Sequence, residues 1–270
     1  MRLAGVDAEL IDAAAVRKMA PFLDIDNARF PIQGGLLQRR GGTVRHDAVA
    51  WGFARGADSR GVDILQNTEV TGIRIEAGRA VGVETTLACA GNSSRVAAMA
   101  GLNLPIESHV LQAFVSEGVK PVIDQVITFG AGHFYISQSD KGGLVYGGDI
   151  DGYNSYAQRG NLYTIEDVHE AGMALWPGLG RLRMLRHWGG VMDMSMDGSP
   201  IIDKTPIDGL YLNCGWCYGG FKATPASGWC FAHTIARDAP HALNAGFRLD
   251  RFATGRLIDE KGAGAQPNLH

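Results

Sequence analysis

The sequence lacks an excess of positive charge, long apolar runs and the many cysteines of a disulfide-rich secreted protein. Its 270 residues contain 25 Lys and Arg against 28 Asp and Glu, a balance that argues against a nucleic-acid partner. No stretch reaches the roughly 18 consecutive apolar residues of a membrane-spanning helix. Asp7, Glu9 and Asp12 disfavour a secretory signal peptide at the start. These absences predict a cytoplasmic protein that binds neither nucleic acid nor membrane.

Several motifs of known chemistry are missing as well. No G-x-G-x-x-G follows a strand-like segment, because GAGHFY, GLGRLR and GAGAQP each lack the third glycine. The serine-hydrolase elbow and the Walker loop are also absent. The histidines at 109, 133, 169, 187 and 233 do not have the spacing of metal ligands. The sequence therefore predicts no metal site.

Glycine, in contrast, is abundant, with 37 residues, which implies many tight turns and close backbone approaches. The spacing of apolar residues predicts an α+β protein. Thr164 and Asp167 are arranged like a capping box at the start of one helix. The predicted helices cover residues 8–19 and 47–59, a helix capped by Asn92 or Ser93 that stops at Gly101, residues 164–176, and a last helix ending at 237. The predicted strands cover 62–66, 69–78, 80–85, several antiparallel strands within 107–150, 183–194, 199–205 and 209–214.

The four cysteines Cys89, Cys214, Cys217 and Cys230 allow two interpretations. The C-x-x-C spacing of Cys214 and Cys217 is typical of a redox dithiol or of half a zinc site. A zinc site requires a second pair, however, and Cys89 and Cys230 are not spaced as one. We therefore expect these cysteines to be small buried residues that pack in a strand-to-loop turn.

The segment after Cys214 predicts an anion site. A strand, GLYLN, leads through a glycine-rich turn into a helix that opens with Phe221 and Lys222. The first N–H groups of such a helix and its positive dipole end favour a negatively charged ligand. Lys222 opposes the dipole there, which suggests that it serves a ligand. The alternative is an exposed lysine whose side chain simply reaches water.

His46 is the second candidate. It follows a glycine pair at a predicted helix start, in RRGGTVRHDAVAWG, with arginines nearby, including Arg45. These residues could hold a phosphate group and present an imidazole nitrogen as a reactive group. A single histidine in this position is more often satisfied by local hydrogen bonds.

Together these segments resemble a known family. The stretches GLLQRRGGTVRHDAVAWGFARGADSRGVDILQNTEVTGI, AGLNLPIESHVLQAFVSEGVKPV, MDMSMDGSPIIDKTP, GLYLNCGWCYGGFKATPASGW and LIDEKGAGAQPNLH resemble β subunits of heterotetrameric sarcosine oxidases, within the wider family of D-amino-acid-oxidase-like flavoenzymes. The resemblance covers nearly the whole chain. It implies a partial FAD-binding, Rossmann-like layer from residues 1–104 and 199–270, and an antiparallel-sheet domain from residues 105–198 on the substrate and FMN side.

The resemblance also implies an activity, that of an FAD-dependent amine oxidoreductase. Sarcosine, or a related N-methyl amino acid, would be oxidised by hydride transfer to non-covalent FAD. Electrons would then pass to covalent FMN and to oxygen, with glycine and a one-carbon unit as products. The implied partners are the α, γ and δ subunits of a heterotetramer.

The family's motifs assign roles to individual residues. The implied catalytic residue is Lys222, which would neutralise the substrate carboxylate or contact the flavin. The implied cofactor-binding residues are His46, which would carry FMN covalently, Arg45 beside it, Val70 near the FAD adenine, Ala90 and Gly91 along the dinucleotide, and Gly219, Gly220 and Lys222 at the flavin.

Two departures from the family bear on these expectations. The family's β subunits begin with a glycine-rich FAD-binding module, so the resemblance implies that this chain is N-terminally truncated. The connection between VGVETT and LACAGNSS is also shorter than in the family. Two alternatives therefore stand beside sarcosine oxidation: a noncatalytic subunit that acts only in assembly with the α subunit, and an oxidase of dimethylglycine or N-methylglutamate.

Overall fold

The computed structural model describes residues 5–27, 29–86 and 92–258. No helix in these ranges is both long and apolar enough to cross a membrane. The helices are α1 Ala13–Met19, α2 His46–Asp58, α3 Ser93–Ala98, α4 Leu162–Leu175, α5 Gly220–Arg237 and α6 Arg251–Thr254. The strands are β1 Glu9–Asp12, β2 Gly34–Leu37, β3 Glu69–Glu76, β4 Arg79–Thr86, β5 Ile106–Gly118, β6 Ile127–Phe129, β7 Phe134–Gln138, β8 Gly143–Ile150, β9 Met184–Ser195, β10 Ile201–Lys204 and β11 Tyr211–Cys214.

The first of two compact units comprises Met1–Ile64, Leu111–Ile150 and Gln158–Gly190. It holds most of a five-stranded sheet with the strand order β6-β7-β8-β5-β9, in which the pairs β6–β7, β7–β8 and β5–β8 are antiparallel. Every second residue of β5 is buried, so one face of the sheet lies against the core, to which α4 also contributes. Phe114, Tyr146, Val168 and Leu175 belong to this core.

The second unit comprises Leu65–Val110, Asp151–Ala157 and Val191–His270. It contains two antiparallel hairpins, β3–β4 and β10–β11, together with α3, α5 and α6. The first hairpin turns at Ala77 and Gly78, which both have positive φ, as a tight hairpin turn requires. The second unit has a smaller buried core, formed by Ile106, Ile201, Leu212 and Cys214.

The predicted α+β class and the antiparallel strands within 107–150 are confirmed. The last helix ends at Arg237, as predicted, and the hairpin of residues 69–85 is present. The compact units divide the chain at other positions than 105 and 198, and the assignment of those domains to FAD and to substrate stays a prediction.

Three local predictions are wrong. Residues 62–65 are irregular, because no described strand pairs with them and a strand requires a hydrogen-bonded neighbour. Residues 9–12 form a strand instead of a first helical turn, since they pair with β2. The predicted capping box of α4 does not form. Instead, the side chain of Asn161 accepts a hydrogen bond from the N–H of Thr164 at 2.8 Å and caps the helix.

Candidate functional site

The start of α5 has the features of an anion-binding helix terminus. Its N-cap is Gly219, which offers no side-chain cap, and its first turn contains no acidic residue. The N–H of Gly219 donates to the carbonyl of Trp216 at 2.9 Å. A Cβ on Gly220 would lie 3.2 Å from Cβ of Trp216, so the glycine allows the turn to close tightly. The 18-residue helix therefore presents N–H groups and its positive dipole end without a competing carboxylate.

Lys222 lies in the first turn of α5 and is exposed. Among the described residues, no carboxylate forms an ion pair with it. Phe221 beside it is half exposed, at 50%. The ammonium group of Lys222 is thus available to an anionic ligand at a helix end that also favours one.

The turn before α5 is held by the residues around two buried cysteines. Cys217 has φ +48°, a left-handed conformation that is unfavourable for a residue with a Cβ. Its N–H donates to the carbonyl of Asp193 at 3.0 Å, and its Sγ lies 3.5 Å from Oγ of Ser195. Burial, reinforced by the charge of Asp193, raises the pKa of Cys214 to about 12. Neither Cys214 nor Cys217 forms a disulfide within the described residues, and a thiol that stays protonated, as that of Cys214 does, is a poor redox nucleophile.

The other end of α5 is anchored to the hairpin β10–β11. Asp238, its C-cap, accepts a hydrogen bond from Lys204 Nζ at 2.6 Å and another from the hydroxyl of Tyr211 at 2.8 Å. The bond from Lys204 is the main cause that lowers the pKa of the Asp238 carboxyl. These bonds fix the helix that carries Lys222.

Arg45 and His46 lie at the start of α2, in the first unit. Both are exposed, and Arg45 is the N-cap while His46 is the first helical residue. The guanidinium of Arg45 forms an ion pair with Asp47 at 2.5 Å, and this hydrogen bond holds the pKa of the Asp47 carboxyl below its ordinary value. The imidazole of His46 is exposed to solvent.

The structure thus brings the predicted site residues together in two groups, with Gly219, Gly220 and Lys222 in one and Arg45 and His46 in the other. Val70 is half-buried in β3, opposite Thr85 of β4. Ala90 and Gly91 lie outside the described residues.

Sequence reasoning missed Asp193. Its carboxylate accepts a hydrogen bond from the N–H of Ser93 at 3.2 Å and from the hydroxyl of Ser108 at 2.9 Å. These partners are 100 and 85 residues away along the chain. No local pattern marks such a residue, so only the folded structure reveals it.

Comparison with known proteins gives close relatives. The family model described as FAD dependent oxidoreductase matches residues 1–234. The chain is 78% identical over 280 residues to "Sarcosine oxidase subunit beta" of Rhizobium meliloti (strain 1021), covering 100% of this chain and 67% of that protein. It is 50% identical to the Rhodobacter capsulatus protein of the same name, covering 96% of this chain and 64% of that protein. The chain spans about two thirds of the length of these relatives.

Solved structures agree with the fold. L-proline dehydrogenase from P. horikoshii matches with a TM-score of 0.84 at 26% identity, over 95% of this chain and 72% of that chain. Glycine oxidase from Geobacillus kaustophilus matches with a TM-score of 0.80 at 20% identity, over 93% of this chain and 68% of that chain. Both likenesses confirm the predicted fold class.

Proposed function

Because this chain belongs to the family of FAD-dependent oxidoreductases, we propose that it serves as the β subunit of a sarcosine oxidase. The observation that carries the proposal is the 78% identity along 100% of the chain to a protein of that name. The substrate is sarcosine, whose secondary amine is oxidised to an imine that water splits into glycine and a one-carbon unit. The partners are the α, γ and δ subunits of a heterotetramer.

The residues at the start of α5 fit the flavin end of FAD. Two glycines, an uncapped helix terminus and an exposed lysine suit an anionic, planar ligand that must approach the backbone closely. The sequence has no glycine-rich motif for the FAD pyrophosphate. When bound, FAD supplies the acceptor for the hydride that leaves the substrate.

The chain's own residues bind and orient the substrate. The Lys222 ammonium group binds the substrate carboxylate, a charge-assisted contact that contributes about 1.5–3 kcal/mol. Gly219 and Gly220 leave room for the flavin, and the N–H groups of α5 favour negative charge at that point. Val70 contacts the adenine end of FAD through its backbone, and Ala90 and Gly91 line the dinucleotide.

His46 carries the second flavin. Its exposed imidazole at the start of α2 would hold FMN covalently through a ring nitrogen. Arg45 lies next to it, where a guanidinium suits the FMN phosphate. This assignment rests on the RRGGT-x-RHD motif and on the accessibility of the ring.

Two variants, each coexpressed with the α, γ and δ subunits, test these roles against each other. We expect His46→Ala to lose the flavin mass on the peptide that contains residue 46, while non-covalent FAD remains. We expect Lys222→Ala to keep that adduct and to raise KM for sarcosine by about tenfold or more, because a charge-assisted contact is lost. An unchanged adduct in the first variant, or wild-type sarcosine turnover in the second, contradicts the assigned role.

The alternative to the oxidase is a noncatalytic subunit that acts only in assembly. Wild-type protein purified with its partner subunits distinguishes the two. Sarcosine turnover with yellow, flavin-containing protein supports the oxidase, whereas colourless protein with no flavin after acid denaturation supports the assembly role. Turnover of dimethylglycine and N-methylglutamate in the same assay identifies a related oxidase if either exceeds sarcosine.

A further inference from the structure

Asp193, near the end of β9, bonds to three separate segments of the second unit. Oδ2 accepts the N–H of Ser93 at 3.2 Å, at the start of α3. Oδ1 accepts the hydroxyl of Ser108 at 2.9 Å, in β5. The backbone carbonyl of Asp193 accepts the N–H of Cys217 at 3.0 Å. A single residue therefore holds α3, β5 and the turn before α5 together.

Two of these segments lead directly to predicted flavin-binding residues. Ser93 follows Gly91 by two positions and Ala90 by three, and Cys217 precedes Gly219 by two positions. An antiparallel bridge between Met194 and Trp216 continues the contact from β9 into the same turn. Movement of Asp193 would thus displace both segments at once.

The turn also needs such support because Cys217 adopts a left-handed conformation. Residues with a Cβ persist in that conformation only where their surroundings hold them. The hydrogen bond from the Cys217 N–H to Asp193 supplies one of these restraints. The second comes from the thiol, which lies 3.5 Å from both Ser195 Oγ and the carbonyl of Gly215.

A carboxylate suits this position better than an amide. Both oxygens of Asp193 accept from neutral donors, and no ion pair involves this residue within the described part of the chain. In an asparagine the amide oxygen still accepts the Ser93 N–H, but the NH₂ group can only donate, so the hydroxyl of Ser108 has to accept instead. The isosteric change therefore removes the negative charge and reverses the direction of the bond to Ser108.

We propose that Asp193 is a positioning residue for FAD. Its carboxylate holds the backbone around Ser93, and its carbonyl holds the turn before α5, in the arrangement that binds the flavin. The role rests on the proposed function, since it presumes that these segments contact FAD. Asp193 itself need not touch the cofactor.

The test compares Asp193→Asn with Asp203→Asn. Asp203 is a matched control because its buried carboxylate also accepts two hydrogen bonds, from the N–H groups of Lys204 and Leu249, in the same unit. Amide hydrogen exchange is measured on FAD-free protein at residues 92–95 and 215–222. The Kd for FAD is measured by flavin fluorescence on protein coexpressed with the partner subunits.

We expect Asp193→Asn to speed exchange at residues 92–95, where the carboxylate accepts the Ser93 N–H, and to raise the Kd for FAD roughly tenfold, as the weakening of hydrogen bonds to a charged acceptor implies. FMN on His46 should stay attached. Asp203→Asn should leave exchange in both segments and the Kd near wild type. Ser108→Ala removes only one donor, so it should shift both readouts in the same direction by less, and it keeps the test decisive if Asp193→Asn fails to fold.

Unchanged exchange at 92–95 in Asp193→Asn, or equal shifts of the Kd in the Asp193 and Asp203 variants, would overturn the positioning role. The exchange measurement needs no flavin. Wild-type protein that binds no FAD would therefore count against the proposed function, while faster exchange at 92–95 in Asp193→Asn would still show that the Asp193 side chain holds the segment around Ser93.

Discussion

Arg251 and Asp197 form an ion pair that water barely reaches, with side chains 3% and 2% exposed. The guanidinium donates from Nε to Oδ2 at 2.7 Å and from Nη2 to Oδ1 at 2.8 Å. Removing the cation leaves a buried carboxylate unpaired, so we expect Arg251→Met to lower the free energy of unfolding by about 3–5 kcal/mol. Urea titration followed by circular dichroism measures the change.

The control for this variant is Arg248→Met. Arg248 pairs with Asp250, and both side chains are 54% exposed, so its loss should change stability little. Equal destabilisation by the two variants would contradict the importance of burial.

The same pair gives a pH dependence. Burial alone raises the pKa of the Asp197 carboxyl, but hydrogen bonds led by that from Arg251 outweigh it and lower the pKa. The pair therefore stabilises the fold above the ordinary aspartate pKa of about 4, and this contribution is lost as pH falls through the lower folded value. Below about pH 4, the Tm of the wild type should fall more steeply with decreasing pH than the Tm of Asp197→Asn. Parallel curves of Tm against pH would contradict a lowered pKa of Asp197.

The N-terminus of helix α4 is capped by the side chain of Asn161 and not by the predicted capping box. The Asn161 side chain accepts from the Thr164 N–H, so Asn161→Ala should lower the free energy of unfolding by about 0.5–2 kcal/mol. Asn161→Ser should restore most of it. Chemical denaturation measures all variants.

Asp167→Ala is the matched control for the cap, because Asp167 was the second member of the predicted capping box. It should change stability less than Asn161→Ala. A larger loss in the Asp167 variant would show that the acidic residue, and not Asn161, supports the start of α4.

Both units carry large aromatic side chains at their surfaces. Trp51 on α2 is 56% exposed and Trp229 on α5 is 64% exposed, whereas Trp176 packs on Phe22 with ring centroids 5.1 Å apart. Acrylamide should therefore quench much of the tryptophan fluorescence of the purified chain. Trp51→Phe and Trp229→Phe should each remove more of the quenchable signal than Trp176→Phe, and the reverse order would contradict these exposures.

The fold class, the antiparallel strands within 107–150 and the extent of α5 could be predicted from the sequence, because apolar periodicity and glycine positions are local signals. The candidate site could be predicted only in part. His46 and Lys222 lie in short motifs that can be compared directly with those of the family, and the structure places each residue at the start of a helix. Their roles with FMN and substrate stay predictions that the variants above test.

What the sequence by itself determined about this protein is its family and the order of its main elements, since both depend on residues that are neighbours along the chain. Tertiary structure alone decided that residues 62–65 form no strand, that Asn161 and not Thr164 caps α4, and that Asp193 joins Ser93, Ser108 and Cys217. The physical reason is that a strand, a cap or a carboxylate is stabilised by whichever donors and acceptors come within hydrogen-bonding distance. For Asp193, two of those partners are 85 and 100 residues away, so folding had to bring them together first.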